Sequence, residues 1–347
     1  MNEGSVTEGS RDGNAGPTSK GAIVNEIYRQ WGVGVMAIIL GAVSGCSLSG
    51  EEGAPSSVQE SIVDGTPTTD PALDAIGGIV FKYAKLKIED FTCTGTLIAP
   101  KVVLTARHCV AGDSSWHFFP IPSFNNFVVF GDNVTKPEQK VKIKAFVTAP
   151  PSPTAPGLLN DGGRDIAVIF LDEAPKGITP AKLGQFDESQ LGSQFRIAGF
   201  GWTENFTVGT KVEGLATARA ISGDWYPLLF DNEYAAFDEW YWTDAALATP
   251  SEAEEALWWA PGTYSLEPGY ELLAGGLPGD AVSCYGDSGG PLFLGNTASN
   301  LTVYGVSFAG EGSISRVCGL GGGYAVLNEE MLAFVEDAVA AAPSIVP

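Results

Sequence analysis

The stretch Cys-Tyr-Gly-Asp-Ser-Gly-Gly-Pro occupies residues 284–291 and surrounds one serine, Ser288, with glycines. A serine hydroxyl is a poor nucleophile at neutral pH, so it needs a base within hydrogen-bond reach and a third group that orients the base. Glycines permit a backbone approach that a Cβ would obstruct. A plain glycine-rich hairpin would not explain the central Asp-Ser pair, so we interpret the stretch as a nucleophile loop.

Only two histidines, His108 and His117, are present to act as that base. His108 ends the strand-like run Val103-Leu104-Thr105-Ala106-Arg107-His108 and is followed by Cys109. A lone histidine is most often a hydrogen-bonded core residue. A disulfide at Cys109 would instead pin the local backbone and fix the imidazole, which favours a catalytic role for His108.

The composition favours many short strands joined by tight turns. The chain of 347 residues contains 44 Gly and 22 Pro, and only 17% of its residues are charged. Short runs rich in Val, Ile, Phe and Thr alternate with turn residues from Ile62 onward, which predicts an all-β barrel or sandwich. These runs are Thr96–Ile98, Val102–Thr105, Phe127–Phe130, Lys140–Val147, Ile166–Leu171, Phe195–Ala198 and Val303–Phe308. Sustained helical periodicity appears at Ala325–Ala341, with Met331, Leu332, Val335, Ala338 and Val339 on one face.

The formal net charge of −22 disfavours nucleic acid as a partner, because tracking phosphates requires clustered cations. The five cysteines (46, 93, 109, 284 and 318) form no Cys-x-x-Cys pair, so a structural zinc site is not expected. We expect no metal and no cofactor.

The N-terminal region predicts export. Residues 31–45 carry no charge and follow Arg29, a length that fits a signal-peptide core better than a membrane span. They end in Val43-Ser44-Gly45-Cys46, which resembles the lipobox of bacterial lipoproteins and implies lipidation of Cys46 and an outer-membrane location. The alternative is an ordinary secretory signal with a chance cysteine. Either way, disulfides are permitted.

Residues 222–281 stand apart in composition. They hold twelve acids, no Lys or Arg, and five of the eight tryptophans. We interpret them as an insertion that packs aromatic side chains inward and presents a solvated acidic face. Scaffolding is one role for it, and an acidic exosite for basic proteins is the other.

Three segments together resemble the trypsin–chymotrypsin family of serine proteases. Thr105-Ala106-Arg107-His108-Cys109 resembles its histidine signature, residues 286–291 match its serine signature, and Asp165-Ile166-Ala167-Val168 resembles its aspartate motif. The chain order His, Asp, Ser is also that of the family. Asp161 is a nearby alternative to Asp165, which we prefer because the strand follows it directly.

The resemblance implies an acyl-transfer site. Ser288 would attack the scissile carbonyl, His108 would move the proton, and Asp165 would orient His108. The backbone N–H groups of Gly286 and Ser288 would form the oxyanion hole.

The resemblance also implies activation by proteolysis. Ile62-Val63-Asp64-Gly65 resembles the family's mature N-terminus, with Asp64 in place of a glycine, so a new amine on Ile62 would pair with Asp287. Because Ser61 precedes Ile62, a trypsin-like activator is not expected and the activating protease is unidentified.

Four cysteines allow three connectivities, and the resemblance selects Cys93 with Cys109 and Cys284 with Cys318. It also implies a specificity pocket made of Val282, Ser283, Ser307, Phe308, Ala309 and Gly322. Val282 stands where an Asp would select Lys or Arg, so we expect a hydrophobic P1 side chain. Ala309 is expected to narrow the entrance and Gly322 to leave it open.

Arg107 departs from the small residue usual before the catalytic histidine. Its head is expected to extend into solvent; the alternative is an altered subsite or a perturbed His108.

The expected organisation is a signal region at 1–45, a tether or propeptide at 46–61, and two six-stranded antiparallel barrels at 62–187 and 188–347. The second barrel is expected to contain the C-terminal helix and the insertion, which, by comparison with the family's usual length, covers about residues 203–281. The expected function is a secreted serine endopeptidase acting on proteins or peptides, with membrane contact only through a lipid on Cys46. The alternative is a surface-anchored pseudoprotease that serves as a protein-binding module.

Overall fold

The computed structural model describes residues 62–83, 88–111, 126–151, 164–203, 207–243, 265–311 and 318–346. The expected signal region, Cys46, the tether, Asp161 and His117 all lie outside these residues. Among the helices described, none is both long and apolar enough to cross a membrane.

The described segments are mostly β-strands. In chain order the strands are β1 Thr66–Pro67, β2 Ile76–Tyr83, β3 Ile88–Ala99, β4 Val102–Thr105, β5 Asn126–Phe130, β6 Gln139–Thr148, β7 Ala167–Leu171, β8 Lys182–Leu183, β9 Gln194–Gly199, β10 Val212–Ala220, β11 Gly223–Asp224, β12 Ser265–Leu266, β13 Glu271–Ala274, β14 Pro291–Leu294, β15 Thr302–Glu311 and β16 Gly321–Val326. The α-helices are α1 His108–Ala111, α2 Trp225–Leu229, α3 Tyr234–Thr243 and α4 Glu329–Ile345.

The first barrel closes in the order β2-β3-β4-β7-β6-β5. Strand β6 shows the expected alternation, with Val141 and Ile143 buried and Lys142 and Lys144 exposed. Strand β7 is buried along its whole length. Side chains from all of these strands fill the interior, among them Ile79, Leu97, Val103, Val128 and Ile169.

The second barrel runs β9-β10-β13-β16-β15-β14 and closes because β14 and β10 both pair with β9. Its interior contains Phe195, Ile197, Leu272, Leu292 and Val326. The prediction of two six-stranded antiparallel barrels is confirmed.

The C-terminal helix starts later than its periodicity suggested. Ala325 belongs to β16, where it pairs with Val306, and α4 begins only at Glu329. Asn328 ends the extended chain, since its side-chain oxygen accepts a 2.9 Å hydrogen bond from the Met331 N–H and caps the helix.

Each end of the described chain lies against the barrel that is formed by the other half of the chain. Residues 62–67 were assigned to the first barrel, but β1 pairs with β10 of the second. Helix α4 lies against β4 and β7 of the first barrel, and its Met331 and Val335 belong to the same hydrophobic cluster as Val102 and Phe170. The two ends of the described chain thus hold the barrels together, and the division at residue 187 stays a prediction.

Strands β10 and β13 are neighbours in the second barrel, and the chain between them, residues 221–270, falls within the predicted insertion at about 203–281. Within this excursion Trp225 and Phe237 are buried, and Phe237 packs against Tyr226, Phe230 and Tyr234.

The expectation of a uniformly solvated acidic face is wrong for three acids. Glu267, Glu271 and Asp280 are all buried. Asp280 accepts hydrogen bonds from the Thr217 N–H at 3.1 Å and the Thr217 hydroxyl at 2.9 Å, and Glu271 accepts one from the Glu267 N–H at 2.7 Å. The carboxylates of Asp280 and Glu271 thus satisfy backbone donors beside the barrel.

Candidate active site

Pairing of β4 with β7 brings His108 and Asp165 together. Thr105 at the end of β4 pairs with Ala167 at the start of β7, so the residues just beyond them meet at one end of the first barrel. The Nδ1 atom of His108 lies 2.6 Å from Oδ2 of Asp165, and the His108 backbone N–H donates to Oδ1 at 2.9 Å. Two contacts fix both the position and the orientation of the imidazole.

The surroundings of Asp165 favour its ionised form. Burial raises the pKa of this carboxyl, which is 4% exposed. The adjacent imidazole and the backbone N–H groups of His108 and Arg107 outweigh burial and hold the pKa below its usual value. A carboxylate on Nδ1 places the imidazole proton on that nitrogen and leaves Nε2 able to accept another.

The nucleophile loop of the second barrel lies beside this pair. The Thr94 N–H donates to the Ser288 carbonyl at 2.8 Å, across the barrel interface. The Cys109 Sγ atom lies 3.5 Å from the same carbonyl oxygen and 3.8 Å from Nε2 of His108. The structure therefore brings His108, Asp165 and the Ser288 backbone to one place.

Two glycines of the loop adopt conformations that other residues avoid. Gly286 has φ +96° and Gly289 has φ +82°. A Cβ at Gly289 would lie 2.0 Å from Oγ1 of Thr105 and 2.3 Å from the Thr94 carbonyl oxygen. The loop can approach the first barrel only because Gly289 has no side chain.

Thr94 is a site residue that sequence reasoning missed. Its buried hydroxyl donates to the Gly286 carbonyl at 3.0 Å and accepts a hydrogen bond from the Phe200 N–H at 3.3 Å. Its own carbonyl accepts one from the Thr105 hydroxyl at 2.8 Å. Its only sequence signal was its place next to Cys93, and nothing there points to a partner 192 residues away.

Asp287 is held inside the second barrel. It is 1% exposed, and its two carboxylate oxygens accept from the Gly201 N–H at 2.8 Å and the Cys284 N–H at 2.9 Å. Burial raises the pKa of Asp287 to about 7, although both N–H donors act in the opposite direction. An ionised Asp287 lacks a compensating cation among these contacts.

The Ile62 segment docks beside the same loop. Ile62 is 1% exposed, and Val63 forms an antiparallel bridge with Val282, with both N–H···O distances 3.0 Å. Ile62 has φ +65°, which is strained for a β-branched residue. Asp64, which replaces the family's glycine, has φ +60°, a conformation that Asp tolerates better than most residues.

Both expected disulfides are present. Cys93 bonds to Cys109 and Cys284 bonds to Cys318, with Cα–Cα distances of 6.1 Å and 5.5 Å. The sulfurs of Cys93 and Cys109 cluster with the His108 ring. Because both sulfurs are already bonded to each other, they cannot serve as thiolate metal ligands.

Three of the expected pocket residues converge. A Cβ at Gly322 would lie 2.6 Å from Oγ of Ser283, 3.2 Å from the Tyr324 ring and 3.5 Å from the Ala309 carbonyl oxygen. Ser283 and Tyr324 are both buried, and burial raises the pKa of the Tyr324 hydroxyl. The pocket wall therefore has no room for a side chain at Gly322, and the hydroxyl groups around this position are neutral.

The other pocket residues lie on the strands around it. Ser307 joins β15 to the nucleophile loop, since its N–H donates to the Gly290 carbonyl at 2.8 Å and its carbonyl accepts from the Gly289 N–H at 2.6 Å. Phe308 packs against Gly323, whose Cβ would lie 2.8 Å from the ring. Val282 is buried with its Cγ2 towards Gly275.

Arg107 is half-buried, and the Nε and Nη1 atoms of its guanidinium are buried. Its backbone N–H donates a hydrogen bond to the Asp165 carboxylate.

Comparison with known proteins agrees with this geometry. The sequence profile of the family described as trypsin matches residues 62–221. The chain is also similar to a protein named trypsin from Saccharopolyspora erythraea, 24% identical over 239 residues, which cover 69% of this chain and 86% of that protein. Together with the two closed barrels, these matches support a serine protease of the trypsin–chymotrypsin family, that is, a serine endopeptidase.

Proposed function

We propose that this endopeptidase hydrolyses peptide bonds with Ser288 as nucleophile, His108 as general base and acid, and Asp165 as the group that orients His108. The observation that carries the proposal is the double contact of Asp165 with His108, at 2.6 and 2.9 Å, beside the Ser288 backbone.

In the first step the Ser288 Oγ forms a bond to the substrate carbonyl carbon while its proton moves to Nε2 of His108. That proton then passes to the leaving nitrogen as the C–N bond breaks, which leaves an acyl-enzyme. In the second step the water oxygen forms a bond to the acyl carbon while His108 takes its proton; the bond from that carbon to Oγ then breaks, Oγ receives the proton, and the carboxylic acid leaves. Asp165 stays ionised throughout and stabilises the transient imidazolium.

The negative oxygen of each tetrahedral intermediate would be bound by the N–H groups of Gly286 and Ser288. Gly286 stands at φ +96° with its carbonyl bonded to Thr94, so the loop is fixed before substrate arrives. Donors already in place cost no reorganisation during the reaction.

The role of Asp165 is tested by Asp165→Asn. The amide keeps the shape but favours the wrong imidazole tautomer, so we expect kcat on a peptide substrate to fall by about 10⁴-fold. The control is Asp172→Asn, which alters an exposed carboxylate at the far end of β7 that pairs with Lys144 at 3.1 Å. A variant Asp165→Asn with nearly full kcat would refute the assignment.

Cleavage before Ile62 is the proposed activating step. Several features support it: the segment is already docked through Val63, Asp287 is buried without a compensating cation among its contacts, and Ile62 is strained. Cleavage would supply an ammonium for Asp287 and remove the preceding carbonyl that contributes to the strain. N-terminal sequencing of active enzyme should find Ile62 first; another start would contradict the step.

Selectivity for a hydrophobic P1 side chain is proposed from Val282 and from the neutral hydroxyl groups of Ser283 and Tyr324. An unpaired Lys or Arg in such a pocket would be desolvated without a counterion. Cleavage of a peptide library after hydrophobic residues is the expected result, and preference for Lys or Arg would contradict it.

Export with lipidation of Cys46 is proposed from the apolar run at 31–45 and the lipobox resemblance. Metabolic labelling with a fatty-acid analogue should mark the precursor, and Cys46→Ser should abolish the label. Labelling that persists in Cys46→Ser would exclude that site.

A further inference from the structure

Arg219 joins the insertion to two segments of the second barrel through one guanidinium. It lies on β10 with its side chain 10% exposed. Nη1 donates to the carbonyls of Gly275 at 3.2 Å and Leu320 at 3.5 Å. Nη2 donates to the Leu228 carbonyl at 2.8 Å and to the exposed carboxylate of Asp231 at 3.1 Å.

Two of these partners flank the proposed specificity pocket. Gly275 follows β13, and a Cβ there would lie 2.5 Å from the Ala281 carbonyl oxygen and 3.5 Å from Val282 Cγ2. Leu320 immediately precedes β16, the strand that contains Gly322. The two segments also touch each other, because a Cβ at Gly276 would lie 2.1 Å from the Leu320 carbonyl oxygen.

The other two partners belong to the insertion. Leu228 lies in α2, and Asp231 follows that helix at φ +51°. Helix α2 has a second, apolar contact with the pocket wall: a Cβ at Gly321 would lie 2.9 Å from the Leu229 side chain. Polar and apolar contacts thus both connect the insertion to residues beside Gly322.

The arrangement requires the chemistry of arginine. A guanidinium presents several N–H donors in a rigid plane, whereas a lysine ammonium is a point charge on a flexible stem. Here one planar group serves three carbonyls and a carboxylate from separate segments. Its position consequently depends on α2, and the positions of Gly275 and Leu320 depend on it.

We propose that Arg219 is a positioning residue through which the insertion sets P1 selectivity, with α2 acting as an outer wall of the specificity pocket. This inference rests on the proposed function, because it takes the pocket to be the one beside Ser283 and Gly322. Arg219 acts indirectly, because it fixes the two backbone segments, at Gly275 and Leu320, that shape the pocket.

The test compares the activated enzyme with variants Arg219→Lys, Arg219→Met and the milder Asp231→Asn. The control is Arg196→Met on the neighbouring strand β9. Arg196 is similarly half-buried and bonded, to Glu213 and to the Gly295 carbonyl at 2.7 Å, but those partners belong neither to the insertion nor to the segments at Gly275 and Leu320. Two quantities are measured: the ratio of kcat/KM for peptides with large and small hydrophobic P1 residues, and the rate of labelling by a fluorophosphonate.

We expect both Arg219 variants to change the P1 ratio by about tenfold, the scale on which pocket contacts discriminate apolar side chains. Asp231→Asn should shift it in the same direction by less, and Arg196→Met should leave it unchanged. An unchanged ratio in both Arg219 variants, or an equal shift in Arg196→Met, would overturn the inference. Wild-type enzyme that does not label would instead count against the triad.

Discussion

The hydroxyl of Thr94 on the first barrel donates a 3.0 Å hydrogen bond to the carbonyl of Gly286 on the second. The same residue donates its N–H to the Ser288 carbonyl at 2.8 Å and accepts from the Thr105 hydroxyl, three residues before His108. One buried residue therefore connects the strand that leads to His108 with the loop that contains Ser288.

Replacing Thr94 by Val should lower kcat and leave KM almost unchanged. Val has the shape of Thr without the hydroxyl, so the Gly286 carbonyl and the Phe200 N–H both lose a buried partner, at a cost of about 1–3 kcal/mol for such a group. We expect a fall in kcat of about tenfold or more, with Thr94→Ser close to wild type.

The matched control for Thr94→Val is Thr96→Val on the same strand. Thr96 is equally buried, but its Oγ1 has no hydrogen-bond partner among the described residues. Equal kcat in Thr94→Val and wild type, or an equal loss in Thr96→Val, would show that the Thr94 bond does not support the loop.

Activation should change how stability depends on pH. In the uncleaved chain the pKa of Asp287 is raised to about 7, so the folded state holds this proton more tightly than the unfolded state, with its ordinary pKa near 3.8. Its contribution is therefore intact below about pH 4 and is lost as the pH rises through 7, by up to about 4 kcal/mol. Pairing with the Ile62 ammonium would remove that loss.

Denaturant unfolding of precursor and cleaved protein at pH 5 and pH 8 measures this difference. The cleaved form should gain stability relative to the precursor at pH 8, and Asp287→Asn in the precursor should abolish its share of the pH dependence. Parallel pH profiles for precursor and cleaved protein would contradict the pairing.

Lys211 and Asp132 should respond unequally to mutation. The Lys211 side chain is fully buried, and its Nζ lies 3.6 Å from Oδ1 of the half-exposed Asp132. Burial lowers the pKa of Lys211, while Asp132, Asp74 and Glu138 oppose that shift. Asp132→Asn leaves a buried cation with less compensation, whereas Lys211→Met leaves a carboxylate that water can solvate.

We therefore expect Asp132→Asn to lower the free energy of unfolding by about 1–3 kcal/mol and Lys211→Met to change it by less than about 1 kcal/mol. Because the folded pKa of Lys211 is below its unfolded value, stability should rise with pH towards 10.5, and this rise should vanish in Lys211→Met. Equal destabilisation by both variants would contradict the asymmetry.

The sequence was enough to predict an all-β barrel or sandwich because each strand carries its own pattern of apolar residues and turns, and the family resemblance then implied two barrels. The segments around His108 and Ser288 were likewise recognisable, since their chemistry depends on consecutive residues. The predicted strand Val102–Thr105 has the bounds of β4.

Contacts between distant segments were not predictable in the same way. The hydroxyl of Thr94 reaches Gly286 only after both barrels close, and Arg219 meets Leu320 only through the pairing of β10, β13 and β16. Asp280 was read as a solvated acid because its partner, Thr217, lies 63 residues away. Composition shows how acidic a stretch is, but tertiary contacts decide which acids are buried.

The central claim is that Ser288 is a nucleophile activated by His108 and Asp165. The most direct measurement is covalent labelling of the processed protein, starting at Ile62, by a fluorophosphonate probe. The account predicts rapid labelling that is lost in Ser288→Ala and retained in Thr96→Val, which removes a buried hydroxyl outside the loop. Correctly processed wild-type protein that does not label, or Ser288→Ala that labels at the wild-type rate, would contradict it.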